Sequence, residues 1–160
     1  MVVLNGGQEQ NLPALEVLPG WGVPLFVMQL QSGLLHNLAS GEQLRPAEFQ
    51  QDHPGRVHAL AGIGNPQRFY RSLEAAGFVI MPHDFPDHHA FRAGDLELPG
   101  EAAVIMTEKD AVKCRTFATD RHWYLQVEAL LPAELLDLLL QKVAEALEQR
   151  RQLPPARQTH

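Results

Sequence analysis

From Arg56 to Val127 a short apolar run, a polar turn and a stretch with helical spacing follow one another in a repeating order, and this rhythm restricts the fold more than any other feature. The runs are Arg56–Ala61, Phe78–Met81, Ala102–Met106 and His122–Val127. After the first, Asn65 stands at an N-cap position and Pro66 at the first helical one. Phe69, Leu73 and Ala76 then share a face, and Gly77 is the stop signal. A loop with a short helix is expected from Pro82 to Leu96, and a second helix runs from its Thr107 cap to Cys114. Strands alternating with helices predict an α/β fold, a three-layer α/β/α sandwich around a mainly parallel sheet.

The flanks are less regular. Met1–Leu4 reads as a strand apolar on both faces, either pairing with a later strand or left over from a sheet cut in mid-domain. Gln8–Gly22 reads as an irregular connector and Val23–Leu30 as a strand. Leu34–Leu38 and Gln43–Arg45 flank Ala39–Glu42, which predicts a β-hairpin. Pro46–Gly55 is polar, carries two prolines and reads as a linker. From Pro132 to about Arg150, Leu135, Leu139, Val143 and Leu147 recur four apart, the mark of an amphipathic helix. The polar, Pro-rich tail beyond it is expected to be disordered. The boundaries expected are 1–22, a two-stranded linker region over 23–54, an α/β lobe over 55–150 and a tail over 151–160.

Composition removes several function classes. Thirteen Lys+Arg against nineteen Asp+Glu give a net charge of −6, the wrong sign for a nucleic-acid binder that works by releasing counterions. No apolar run approaches the ~18 residues of a membrane span. The first residues carry no basic segment of the kind that opens a signal peptide. One cysteine, Cys114, leaves no internal disulfide and no multi-cysteine zinc site. The lysines are Lys109, Lys113 and Lys142, and none follows a glycine, so no Gly-Lys-Ser/Thr phosphate loop is present.

In parallel α/β sheets ligands bind beyond the carboxyl ends of the strands. Three successive turns at that edge carry polar residues: Gly62-Ile63-Gly64-Asn65-Pro66, then His83 to His89, then Thr107-Glu108-Lys109-Asp110. The first suits a tight turn or an anion over a helix N-terminus, and Gln67 at the sixth position spoils a dinucleotide fingerprint. The second places three His and two Asp within seven residues, which suits acid–base chemistry, a metal site, or a solvated loop with Asp87 as helix cap. The third is a capping box, with Lys109 as a cation for an anionic ligand and Lys113 one turn further on.

Taken in order, Ala61-Gly62-Ile63-Gly64-Asn65-Pro66-Gln67-Arg68-Phe69, Phe85-Pro86-Asp87-His88-His89 and Met106-Thr107-Glu108-Lys109-Asp110-Ala111-Val112-Lys113-Cys114 resemble the C-terminal half of the tetraacyldisaccharide 4'-kinase family. The opening Val-Leu-Asn-Gly-Gly is similar to the strand after that family's acidic motif. The resemblance implies two α/β domains joined by a two-stranded linker, with residues 1–22 a remnant of an N-terminal P-loop domain. It implies transfer of the ATP γ-phosphate, with Mg²⁺, to the 4'-hydroxyl of a lipid A precursor, tetraacyldisaccharide 1-phosphate. The implied place is the cytoplasmic side of the bacterial inner membrane, as a peripheral protein, with this piece itself soluble. His88, supported by Asp87, is the implied catalytic group. Gly62, Gly64, Asn65, Thr107, Glu108, Lys109 and Asp110 are implied to lie near substrate or nucleotide, with no metal ligand among them. Without the P-loop domain the chain is expected to be inactive alone and to hold neither ATP nor Mg²⁺. The rival readings are a metal-dependent phosphoesterase of the Asp-His-His type and a non-catalytic interaction module.

Overall fold

In a computed structural model the described residues are 2–6, 16–17 and 24–152. The strands and helices are, in order, β1 (Val2–Gly6), β2 (Glu16–Val17), β3 (Pro24–Asn37), β4 (Gln43–Leu44), α1 (Pro46–Asp52), β5 (Arg56–Ala61), α2 (Pro66–Ala75), β6 (Val79–Asp84), β7 (Val104–Thr107), α3 (Glu108–Cys114), β8 (His122–Leu130) and α4 (Ala133–Gln152). Short 3-10 turns occupy Ala93–Leu96 and Arg115–Phe117. Contacts group these into two compact units: 31–128, and a second made of 1–30 with 129–160. The sequence placed α4 in the 55–150 lobe, whereas contacts group it with the opening strands. The expected tail lies outside the described residues, apart from the end of α4.

The 31–128 unit is the three-layer sandwich. Its strands lie in the order β3-β8-β7-β5-β6. β5 is parallel to both β6 and β7, and β7 to β8. The alternation of strand side chains separates two cores. Val57, Ala59, Ala61, Ile105, Trp123 and Leu125 face Phe49 of α1 and Phe69, Tyr70 and Leu73 of α2. Leu60, Val104 and Met106 face Ala111 and Cys114 of α3 with Phe91 and Leu96. Gly77 has φ +92°, a backbone form open to glycine at little cost, and Phe78 N–H bonds back to the Leu73 carbonyl as the helix ends. The hairpin forms as expected, with Leu35 opposite Leu44 and His36 opposite Gln43.

Three local expectations change. The Pro46–Gly55 linker is a helix over Pro46–Asp52, because proline at the first position starts a helix and the fully buried Phe49 anchors it. β6 does not stop at Met81 but runs through Pro82 to Asp84; it is the last strand in the sheet order, where a proline without N–H is tolerated. The expected short helix within 82–96 is a single 3-10 turn capped at Arg92, so Asp87 caps no helix.

In the other unit β1 is parallel to the first half of β3, with Val2 opposite Leu25, and β2 is antiparallel to it. Leu25 and Phe26 are buried there. Helix α4 buries Leu135 and exposes Leu136, Leu139, Leu140, Val143 and Leu147.

Candidate active site

The parallel register brings the ends of β5, β6 and β7 together, since Ala61 is opposite Asp84 and Leu60 opposite Met106. The three polar turns leave from this one edge, and side chains tie each to the others. Lys109 Nζ is 3.2 Å from Asp87 Oδ1. A Cβ built on Gly64 would sit 3.5 Å from Asp87 Oδ2. Gly62 N–H donates to Asp110 Oδ2 at 2.8 Å.

Asp110 is a buried tie rather than a ligand. It has no exposed surface. It accepts from Gly62 N–H, from the Thr107 hydroxyl at 2.7 Å and from Lys113 Nζ at 3.0 Å. Its own N–H donates to Thr107 Oγ1, the cap expected from the sequence. Three donors satisfy this carboxylate, so Thr107 and Asp110 join the first turn to the third. Lys113 is drawn the same way, to Asp110 and over the Phe91 ring at 5.4 Å, so it does not share the work of Lys109. Gly62 is buried, and a Cβ there would meet Phe91 at 3.0 Å and Asp110 Oδ1 at 3.2 Å, so a larger residue would have to push one of them aside.

Asp87, His88 and Lys109 form the exposed group. Their side chains are 43%, 78% and 49% accessible. The hydrogen bond from Lys109, foremost, holds the Asp87 carboxyl below its usual range. His88 Nε2 lies 3.6 Å from Asp87 Oδ2. His88 also has φ +61°, in the left-handed region. That conformation costs a side-chain-bearing residue about 1–2 kcal/mol, and here it turns the imidazole outward. An ionised carboxylate beside an exposed imidazole, with a cation at hand, can orient a hydroxyl, take its proton and face an anion. Asn65 holds the N-cap position of α2 without a side-chain cap bond, and Gly64, Asn65 and Glu108 are exposed at this edge.

The histidine-rich run does not act as one cluster. His83 is a strand residue, and its Nε2 lies 2.8 Å from Nδ1 of the buried His58. His58 Nε2 faces the Pro99 carbonyl at 3.0 Å and must donate there, so the His83 N–H donates to His58 Nδ1. Burial lowers the His83 pKa. Asp84 also lies on β6 and accepts the Tyr70 hydroxyl at 2.7 Å, which together with burial pushes that phenol upward. His89 pairs with Asp95 at 3.0 Å, which foremost holds Asp95 below its usual value. Among the described residues no three His, Cys, Asp or Glu come together as metal ligands. Cys114 is buried and pushed up to about 11 by desolvation, as suits a core thiol.

The sequence did not point to Asp95, to Tyr70 or to the bond from Gly62 to Asp110. Only Asp95 carried a local signal, since it sits three residues after Arg92 and accepts that residue's N–H at 2.8 Å. The other ties join residues 14 and 48 positions apart and leave no trace in spacing.

Comparison with known proteins adds an independent line. The family described as tetraacyldisaccharide-1-P 4'-kinase matches residues 1–144. The tetraacyldisaccharide 4'-kinase of Dechloromonas aromatica is 41% identical over 142 residues, covering 89% of this chain and 40% of that protein. The protein of the same name from Pseudomonas aeruginosa (strain LESB58) is 50% identical over 105 residues, covering 66% and 31%. The chain thus spans two fifths or less of the length of these curated relatives. Among solved structures, the "apo" form of LpxK from Aquifex aeolicus in complex with ATP matches with a TM-score of 0.55 at 23% identity, over 80% of this chain and 38% of that one. At that identity the likeness is one of fold.

Proposed function

The chain belongs to the tetraacyldisaccharide-1-P 4'-kinase family, and we propose that it supplies the acceptor-side lobe of such a kinase. The whole enzyme would transfer the γ-phosphate of ATP to the 4'-hydroxyl of tetraacyldisaccharide 1-phosphate, in lipid A biosynthesis. This lobe would contribute His88, which orients or deprotonates that hydroxyl. Asp87 stands beside the imidazole, and Lys109 fixes Asp87 and faces the anionic substrate. The single observation that carries the reading is the meeting of Lys109, Asp87 and His88 at the edge where three parallel strands end.

Phosphoryl transfer rests on positioning and on neutralising phosphate charge. The chain has no Gly-Lys-Ser/Thr loop. The phosphate cradle and metal carboxylates would therefore come from the P-loop portion of the family's longer protein. Residues 1–22 would belong with that portion. Action at the cytoplasmic face of the inner membrane, as a peripheral enzyme, is part of the same proposal.

The test is a chimera in which residues 1–144 of this chain replace the matching segment of the Dechloromonas aromatica relative. His88→Ala should lower kcat by ~10²–10⁴, the contribution of an oriented acid–base group, while KM for either substrate changes little. A kcat within threefold of the parent chimera would remove His88 from the mechanism. The isolated chain should bind ATP–Mg²⁺ only weakly, and micromolar affinity by calorimetry would contradict the division of labour.

A further inference from the structure

The turn that presents His88 leaves β6 through Phe85, whose N–H donates to the Ala61 carbonyl at 2.8 Å, and its Asp87 is tied to Lys109. It closes through His89 N–H to the Pro86 carbonyl and His88 N–H to the Asp87 carboxylate, each at 3.0 Å. Neither bond explains why a residue with φ +61° keeps that form, because both lie within the turn. The next side chain does. The His89 ring lies 4.8 Å from the ring of Phe85 and 4.8 Å from that of Phe91, and those two rings are 5.0 Å apart. Its Nε2 is 3.0 Å from Asp95 Oδ2, and Asp95 is itself held by Arg92 N–H. A carboxylate can only accept, so His89 keeps its proton on Nε2. Phe91 is buried against Gly62, which connects this clamp to the first turn of the site.

We propose that His89 and Asp95 are positioning residues. The ring of His89, gripped between Phe85 and Phe91 and tied to Asp95, holds the Pro86–His89 turn in its left-handed form and so keeps the His88 imidazole outward beside Asp87 and Lys109. What His88 then does rests on the proposed function. The clamp itself has a readout that does not.

That readout is NMR on the full 160-residue chain. In the parent, neutral His89 should show the Nε2–H tautomer by ¹⁵N shifts. The amides of Asp87 and His88 should have order parameters near the ~0.85 of rigid backbone. His89→Ala and Asp95→Ala should drop them below about 0.6, with Val57–Leu60 unchanged. His89→Gln, whose amide can still donate to Asp95, should restore most of the order. In the chimera, His89→Ala should lower kcat at least tenfold with KM within twofold, and His89→Gln should recover most of the loss. A turn that stays rigid in both alanine variants overturns the proposal, as does a loosened turn with unchanged kcat. An unfolded His89→Ala leaves the decision to Asp95→Ala and His89→Gln. A parent chimera without activity counts against the proposed function alone, and the NMR result then decides on the clamp.

Discussion

The sandwich over 31–128 and helix α4 carry equally regular apolar patterns and meet opposite fates. In the sandwich the pattern closes on itself. Val57, Ala59, Leu60, Val104, Ile105 and Met106 have almost no exposed surface, because helices cover both faces of β5 and β7. In α4 only Leu135 of the four-apart series is buried; Leu139, Val143 and Leu147 stay in the open, Val143 at 56%, with Leu140 beside them 69% exposed. Periodicity therefore fixes which element forms and which side is apolar, and says nothing of whether the chain itself supplies the cover.

The sharpest way to break this contrast is truncation in each region. Phe49→Ala removes a fully buried ring packed edge-on against Trp123 and Phe78, and should destabilise the sandwich by about 3–5 kcal/mol in urea unfolding. Leu140→Ala should stay within about 0.5 kcal/mol, as exposed substitutions do. Equal losses would mean that the face of α4 is covered within this chain.

Two ion pairs with the same i,i+3 spacing extend the contrast. Asp110 is fully buried and Lys113 half-buried, whereas Lys142 and Glu145 are exposed. Asp110→Ala strands a buried N–H at Gly62 and the Thr107 hydroxyl, and should cost about 3 kcal/mol or more. Glu145→Ala should leave the melting temperature of the chain unchanged. If Asp110→Ala is equally silent, the tie between the first and third turns is not what holds the edge together.

Acid should separate the regions as well. Burial foremost depresses His83 and His122 below 6.5 in the folded chain. The unfolded chain then binds more protons, so stability rises with pH through this range. It should be complete above 6.5 and fall as pH drops from there toward the depressed folded values. Helix α4 contains no histidine. Urea midpoints read from the fluorescence of Trp123 in a Trp21→Phe background should therefore fall between pH 7.5 and 5.5, and His83→Gln should reduce the slope. A midpoint independent of pH would mean that neither histidine is kept neutral by the fold.

What was legible in the sequence was local. The Thr107–Asp110 cap, the Asn65-Pro66 start and the Gly77 stop lie within four residues of the bonds or dihedrals that they set. The order of strands and helices followed from such signals, and the site edge followed from the order. Helix α1 was missed because one aromatic, Phe49, carries its burial and a single residue has no period. The end of β6 was missed because proline reads as a breaker wherever it falls, and only the sheet order shows that it lies on the last strand. Pairings such as Lys109 with Asp87 were out of reach, since the two stand 22 positions apart and the chain between them holds a strand, a 3-10 turn and two loops whose path spacing does not encode.

The smallest effect expected on stability is at His88, where the site differs most from the core beneath it. Core residues sit in relaxed strand and helix conformations, while His88 alone among the described non-glycine residues has positive φ. His88→Gly removes the left-handed cost of about 1–2 kcal/mol. It also raises the entropy of the unfolded chain by roughly 0.5–1 kcal/mol. The two partly cancel, leaving a net change between zero and about 1.5 kcal/mol of stabilisation. His88→Val should instead lose stability, because a β-branched residue resists positive φ more strongly. Chemical unfolding of the pair decides the matter. If valine is tolerated as well as glycine, the turn is not held in its left-handed form, and the outward pose of the imidazole is not set by the backbone.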